Sequence, residues 1–114
     1  IEIPDQGAAK SVYRKVRRRG SFDFPVAAVA ARVEMDGDEV KAADLVLNAV
    51  GPAPVECDDA VGLLLGKKLD DELIAEAAKV ATRAAKPLDN TDHVSRWRKK
   101  VVEVEIRRAL ASLR

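Results

Sequence analysis

The chain has 114 residues, 47% of them hydrophobic, which is enough for one domain with a modest core. Its 20 basic and 19 acidic side chains leave a net charge of +1, which argues against a general nucleic-acid-binding surface. A single cysteine excludes an internal disulfide and a multi-cysteine metal site, and the absence of long apolar runs predicts a cytoplasmic protein without a membrane span.

The first half of the chain reads as extended segments separated by turns. Residues 1–10 are predicted to be an extended lead-in with little regular structure. Three strands are predicted after it, at residues 12–17, 26–35 and 40–50. Asp36-Gly37-Asp38 is typical of a hairpin turn, because glycine tolerates positive φ and aspartate bonds its own backbone. Periodicity alone also fits a short helix over the Ala-rich residues 26–33, and the hairpin context favours the strand.

The second half of the chain begins with a loop and a short helix. The loop at residues 51–54 holds two prolines and is therefore stiff. Acidic residues follow at Glu56, Asp58 and Asp59, where the first turn of a helix favours negative charge. Gly66 is placed to end this helix.

The second helix has the clearest start signal. Asp70 is the predicted N-cap, and Leu69 and Ile74 occupy the positions of a hydrophobic staple. This helix is predicted to run to about Lys86, because Pro87 cannot continue it.

The last helix is predicted to begin in the polar residues 89–92 and to reach almost to Arg114. It carries two apolar stripes, rotated from each other by roughly 140°. One consists of Val94, Trp97, Val101 and Val104, and the other of Val102, Ile106, Ala109, Leu110 and Leu113. Either the helix packs on two sides or one stripe meets something outside the domain. We expect the Ile106 stripe to be core in both cases.

The order of the elements predicts the fold class. Strands followed by helices are typical of an α+β fold, in this chain an antiparallel sheet of three to four strands that carries a three-helix layer. Residues 11–114 are expected to form this domain, with 1–10 as its lead-in. The sequence contains no internal repeat that would divide it further.

Isolated chemistry-bearing residues do not make a complete active site. His93 lies in the cap region of the last helix without a nucleophile motif, so a capping or solvent-facing role is favoured over a general base. Cys57 stands at a helix start, where a thiolate is stabilised, but the neighbouring acids oppose this and a packed thiol is favoured. The acidic groups at 36–39 and 70–72 are explained by a turn and a helix start, and they lack calcium-loop spacing.

The basic run at residues 14–19 has alternative interpretations. In a strand, Arg14, Val16 and Arg18 face one side, and Tyr13, Lys15, Arg17 and Arg19 face the other. The run is then either a solvated strand edge that discourages aggregation, or a row of side chains against a cofactor or subunit. A further hypothesis is a stand-alone interaction module that uses Arg14–Arg19 to bind nucleic acid or an acidic partner. The residues alone leave these interpretations open.

An ordered series of motifs runs through nearly the whole chain. It consists of the basic run with its continuation to Phe24, and of residues 51–55, 66–70, 87–92, 97–101 and 107–110. This series resembles the C-terminal domain of the FAD-binding (medium) subunit of molybdenum hydroxylases. That family includes carbon monoxide dehydrogenase, xanthine dehydrogenase and 4-hydroxybenzoyl-CoA reductase. The resemblance covers residues 11–114 and leaves the choice between aldehyde, purine, carbon monoxide and hydroxybenzoyl-CoA substrates open.

The resemblance implies a role in electron transfer from molybdenum through iron–sulfur clusters to FAD. FAD would be held mainly by N-terminal lobes of the same subunit, which this chain lacks, and molybdopterin and the iron–sulfur clusters would lie on partner subunits. The domain would cover the flavin and support subunit contacts, without catalytic or metal-binding residues and without nucleic acid. The residues implied to approach the cofactor are Tyr13, Lys15, Arg18, Asp23, Gly51, Pro52 and Pro54.

Overall fold

The computed structural model describes residues 1–20, 22–89 and 93–114. These residues form β1 (Lys10–Val16), β2 (Ala27–Asp36), β3 (Glu39–Asn48), β4 (Val55–Glu56), α1 (Asp58–Leu64), α2 (Asp71–Thr82) and α3 (Ser95–Ala111). The strands form one antiparallel sheet in the order β1-β2-β3-β4. The predicted α+β fold is confirmed.

Side-chain alternation in the central strands decides which face of the sheet is buried. Val29, Ala31 and Val33 of β2 are buried, and Leu45 and Leu47 of β3 lie beside them in register and are buried too. The helices cover this face: α3 packs on β2 and β1, α1 packs on β3, and α2 packs on both helices. Within the described part of the chain, the resulting core consists of aliphatic side chains and one cysteine.

The opposite face of the sheet carries small and polar side chains, and we call it the open face. Tyr13 lies there in register with Ala30, and Arg32 forms an ion pair with Asp44 at 3.2 Å. In β1 the alternation follows the prediction, because Val12, Arg14 and Val16 are half-buried while Tyr13 and Lys15 are exposed. The basic run is nevertheless split, since β1 ends at Val16.

The predicted hairpin turn and the predicted N-cap of the second helix are confirmed. Gly37 adopts φ +58° in the turn between β2 and β3. The Asp70 side chain accepts a hydrogen bond from the Leu73 backbone N–H at 2.8 Å, which makes it the N-cap of α2. Leu69 and Ile74 are both buried, as their staple positions require.

Two of the boundaries that differ from the prediction are set by backbone hydrogen bonds to distant parts of the chain. Glu56 lies in β4 rather than in a helix, since the Cys57 N–H donates to the Leu45 carbonyl at 2.9 Å and holds this segment on the edge of β3. Helix α2 ends at Thr82 rather than at Lys86. The Lys86 N–H donates to the Val50 carbonyl at 2.7 Å, which turns the chain away from the helix axis.

The two stripes of α3 lie in different environments. Val102, Ile106, Ala109, Leu110 and Leu113 are all buried, which confirms the Ile106 stripe as core. In the other stripe, Val94, Trp97 and Val104 are exposed, and the Trp97 ring stacks on the His93 ring with centroids 4.4 Å apart. Helix α3 begins at Ser95 with Val94 as its N-cap, and not within the predicted residues 89–92. The Asp89 carboxylate binds the Ser95 N–H, and residues 90–92 lie outside the described residues.

Candidate functional site

The residues predicted to approach a cofactor lie in separate parts of the structure. Tyr13 and Lys15 are exposed on the open face of the sheet. Arg18 and Asp23 lie in the β1–β2 loop, where they line a cleft together with Arg19. The remaining three, Gly51, Pro52 and Pro54, lie in the loop between β3 and β4.

The two loops lie at the same end of the sheet. In the antiparallel register Val16 pairs with Ala27 and Ala28 pairs with Asn48, so the β1–β2 loop and the β3–β4 loop leave the sheet side by side. The connection from α2 to α3 reaches this end as well, through the hydrogen bond from Lys86 to Val50. We call this region the loop end, formed by residues 17–20, 22–26, 49–54 and 83–89.

Arg98 joins these three segments. Its Nε and Nη2 donate to the Val26 carbonyl at 3.1 and 3.0 Å, and its Nη1 donates to the Leu88 carbonyl at 3.2 Å. Nη2 also donates to the Ala49 carbonyl. The residue is 6% exposed, so a guanidinium is held inside the domain by backbone carbonyl dipoles.

A cleft of about 410 Å³ opens beside the Arg98 side chain, and we call it the Arg98 cleft. Its other lining residues are Ala49, Gly51, Pro52, Lys86, Pro87 and Leu88. Two of the predicted residues, Gly51 and Pro52, therefore lie in its wall. Among the described residues, the lining combines apolar surface with two cations and no acid, which favours a ligand with an apolar body and electron-rich polar atoms.

The sequence did not lead to Arg98 as a functional candidate, although its position on an apolar stripe of the last helix is unusual for a charged residue. It precedes Val102 by four residues and Ile106 by eight, so it lies on the buried stripe of α3. A charged residue on a core stripe requires internal partners, because an unpaired buried charge is costly. Its partners were unpredictable, since they are backbone atoms of distant loops.

A second buried charge, Glu105, ties α3 to the edge strand. The residue is 5% exposed, and its carboxylate accepts from Arg14 Nε at 2.6 Å and from Arg108 Nη1 at 2.7 Å. Arg19 pairs with Asp23 at 3.7 Å. The basic run therefore does not present one continuous row of cations, and the geometry does not favour the stand-alone nucleic-acid module.

Cys57 is the packed thiol that the sequence predicted. It is 4% exposed, and its Sγ lies 3.9 Å from the Val55 carbonyl oxygen and 4.0 Å from that of Ala81. Burial, and secondarily the negative charge of Asp58, raises the pKa of the Cys57 thiol to about 11. A thiol with this pKa is protonated at neutral pH and is a poor nucleophile.

Metal-binding and membrane-spanning features are both absent from the part of the chain that the structure describes. Within it, no group of three or more His, Cys, Asp and Glu side chains is arranged to hold a metal ion. Among these same residues, no helix combines the length and the apolarity that crossing a membrane requires.

The four aromatic residues all lie at the surface. Tyr13 is 59% exposed, Phe22 97%, Phe24 86% and Trp97 41%. Aromatic side chains usually supply a large share of the buried area of a core, and they are enriched at protein interfaces. Their exposure gives the chain apolar contact surface beyond its own core, part of it in the β1–β2 loop.

Ala49 adopts φ +63°, in the left-handed region, and it is the one described non-glycine residue with a positive φ. Its N–H is bound by the side chain of Asn48 at 2.7 Å and its carbonyl by Arg98. Because only glycine adopts this conformation without strain, Ala49→Gly is expected to raise the free energy of unfolding by about 1 kcal/mol in urea denaturation. Ala53→Gly, at an exposed position of the same loop, is the control that should not stabilise. An Ala49→Gly variant no more stable than wild type would contradict strain at this residue.

A family model described as the CO dehydrogenase flavoprotein C-terminal domain matches residues 11–113. The glyceraldehyde dehydrogenase medium chain of Sulfolobus acidocaldarius is 33% identical over 105 residues, which cover 91% of this chain and 37% of the relative.

Solved structures give a matching result. Reconstituted CO dehydrogenase from Oligotropha carboxidovorans superposes with a TM-score of 0.88 at 26% identity, over 99% of this chain and 39% of that chain. A carbon monoxide dehydrogenase from Hydrogenophaga pseudoflava, described as lacking the Mo-pyranopterin moiety of its cofactor, has a TM-score of 0.90 over 96% of this chain and 38% of its own. The second is 22% identical and shows the fold alone. The chain thus spans well under half the length of these relatives.

Proposed function

Because this chain belongs to the CO dehydrogenase flavoprotein C-terminal domain family, we propose that it is the C-terminal part of the FAD-carrying medium subunit of a molybdenum hydroxylase. The observation that carries this proposal is the family match over residues 11–113, within a fold whose helix layer covers only one face of the sheet. In this role the domain covers the flavin and supports contacts with other subunits. Its role is accessory, and the catalytic centre lies elsewhere in the enzyme.

The residues at the loop end suit contact with part of FAD but not capture of the whole cofactor. A pyrophosphate is usually held by a glycine-rich loop at a helix N-terminus, and the sequence has no such motif. The Arg98 cleft instead offers a stiff Gly51–Pro52 wall and the positive charges of Lys86 and Arg98. We therefore propose that the rest of the subunit holds the pyrophosphate and that this chain lies against the ring system.

FAD, when bound, supplies the redox chemistry, and this chain's residues supply walls, charge and exclusion of water. Arg18, Asp23, Gly51 and Pro52 are the stronger candidates, because they line clefts at the loop end. Pro54 lies exposed in the same loop. Tyr13 and Lys15 on the open face remain candidates for the strand side of the contact. A bound flavin would lose solvent contact on the side that these residues face.

The wider assembly is also part of the proposal. The Sulfolobus relative is described as a medium chain, a name that supports a multi-subunit complex. We propose the N-terminal FAD-binding lobes of the same subunit, an iron–sulfur subunit and a molybdenum subunit as partners, in the cytoplasm. The exposed aromatic residues supply apolar area for such contacts.

A comparison of the full-length subunit with the isolated chain tests this function. The full-length subunit is expected to purify with FAD, measured by its visible absorption and by flavin fluorescence after release. The isolated chain is expected to bind added FAD more weakly than ~1 μM, because ring contacts alone offset little of the cost of binding. A full-length subunit without affinity for FAD would overturn the function. Submicromolar binding by the isolated chain would instead refute its dependence on the missing lobes.

A further inference from the structure

We infer that Arg98 is a positioning residue, whose guanidinium fixes the loops of the loop end relative to one another and so sets the shape of the Arg98 cleft. The carbonyls that it binds lie 72, 49 and 10 residues away in the sequence, in three different segments. Each segment contributes to the loop end. This role rests on the proposed function only for the identity of the ligand, which is the flavin.

The contacts of Arg98 join the β1–β2 loop to the other two segments of the loop end. Val26 closes the β1–β2 loop, since its N–H donates to the Val16 carbonyl at 2.8 Å, while its carbonyl accepts two N–H groups of Arg98. The β3–β4 loop and the α2–α3 connection are already joined by the bond from Lys86 to Val50. The side chain of Arg98 therefore links this joined pair to the β1–β2 loop.

The conformation of Ala49 supports a positioning role. Its positive φ is a strained conformation for alanine, and such residues persist only where the surrounding structure holds them. The guanidinium binds the carbonyl of this residue, directly before Val50 and the Gly51–Pro52 wall. Arg98 thus stabilises a backbone conformation at Ala49 that alanine rarely adopts, and in this way it positions the wall of the cleft.

The geometry requires arginine rather than any cation. A guanidinium is a planar fork of N–H donors, whereas a lysine ammonium is a compact charge that cannot reach three separated carbonyls in one plane. Arg98→Lys therefore keeps the positive charge and removes the positioning. Arg98→Met removes both.

The experiment uses the full-length subunit with Arg98→Lys, Arg98→Met and the control Glu105→Gln. Glu105 is equally buried on the same helix, but it binds Arg14 and Arg108 and touches none of the loop-end carbonyls. Both Arg98 variants are expected to bind FAD at least ~10-fold more weakly and to shift the visible spectrum of the bound flavin. Backbone amides of the loop end should also exchange with solvent faster in Arg98→Lys. The control should match wild type in all three measurements.

The inference is overturned if Arg98→Lys keeps the wild-type FAD affinity, flavin spectrum and loop-end exchange. It is also overturned if Glu105→Gln changes them as much, because the effect would then be general destabilisation. If Arg98→Met does not fold, the inference is tested by Arg98→Lys and by the rate at which the Arg98 Nε–H proton of the wild type exchanges with solvent. In wild type that proton should exchange slowly by NMR, and rapid exchange would contradict its hydrogen bond to Val26. Loss of FAD from the wild-type subunit would instead refute the proposed function.

Discussion

Ile106→Ala is expected to lower the free energy of unfolding by about 3–4 kcal/mol, measured by urea denaturation of the chain. The Ile106 side chain has 0% exposure and lies in the core between α3 and the sheet. Its truncation removes buried methyl and methylene groups and leaves a cavity, because a packed core relaxes only partly. Circular dichroism at helix wavelengths reports the transition without depending on an aromatic probe.

Trp97→Ala is the matched control on the same helix. It removes the larger side chain, but Trp97 is 41% exposed, and its ring contact is the stack on His93. We therefore expect a loss of about 1 kcal/mol or less. A Trp97 variant as unstable as the Ile106 variant would mean that the indole packs on the domain's own core. A neutral Ile106→Ala would mean that the core face of α3 is wrongly assigned.

The elements of the fold could be predicted where local signals and long-range packing agree. The hairpin turn at Gly37, the cap at Asp70 and the Ile106 stripe each depend on a short stretch of sequence, and each is confirmed. The α+β class follows from the order of such elements. The structure has four strands, which is the larger number in the predicted range of three to four.

The differences occur where a distant backbone group decides the local conformation. Strand β4 forms because Cys57 bonds to Leu45, and α2 ends early because Lys86 bonds to Val50. The spacing of apolar residues does not encode these partners. For the same reason the contacts of Arg98 could not be predicted, because its acceptors are backbone carbonyl oxygens that any residue could supply. Residues of the candidate site could be chosen only by resemblance, and their grouping into loop-end and open-face sets required the fold.

The folded domain and its proposed site differ in what stabilises them. The core is aliphatic and continuous, so the chain carries its own stabilising cluster. The loop end depends instead on a few charged and backbone hydrogen bonds, and it carries exposed aromatic residues such as Phe22 and Phe24. Substitutions in the core should therefore have the largest effects on the stability of the isolated chain, whereas substitutions at exposed loop-end residues should act mainly on the proposed flavin site.

Cys57 should make the stability of the chain fall in alkali. Burial raises the pKa of the folded thiol from 9.0 to about 11, so the folded state holds this proton more tightly than the unfolded state does. The stabilisation is fully present below pH ~9 and is lost as the pH rises towards 11. Between pH 8 and 11 this amounts to about 2 kcal/mol. Other groups titrate in the same range, so the relevant measurement is the difference from Cys57→Ala in urea denaturation at each pH.

The same thiol should also react slowly while the chain is folded. At pH 8 the rise in pKa from 9.0 to about 11 lowers the thiolate fraction ~100-fold, and burial limits access further. Iodoacetamide is expected to modify Cys57 at least ~100-fold more slowly in the native chain than in urea, as followed by mass spectrometry. Comparable rates in the two states would show that the thiol is accessible and ionised. In the urea experiment, a difference in the free energy of unfolding between wild type and Cys57→Ala that does not change with pH would show that the pKa of the folded Cys57 thiol is close to that of the unfolded chain.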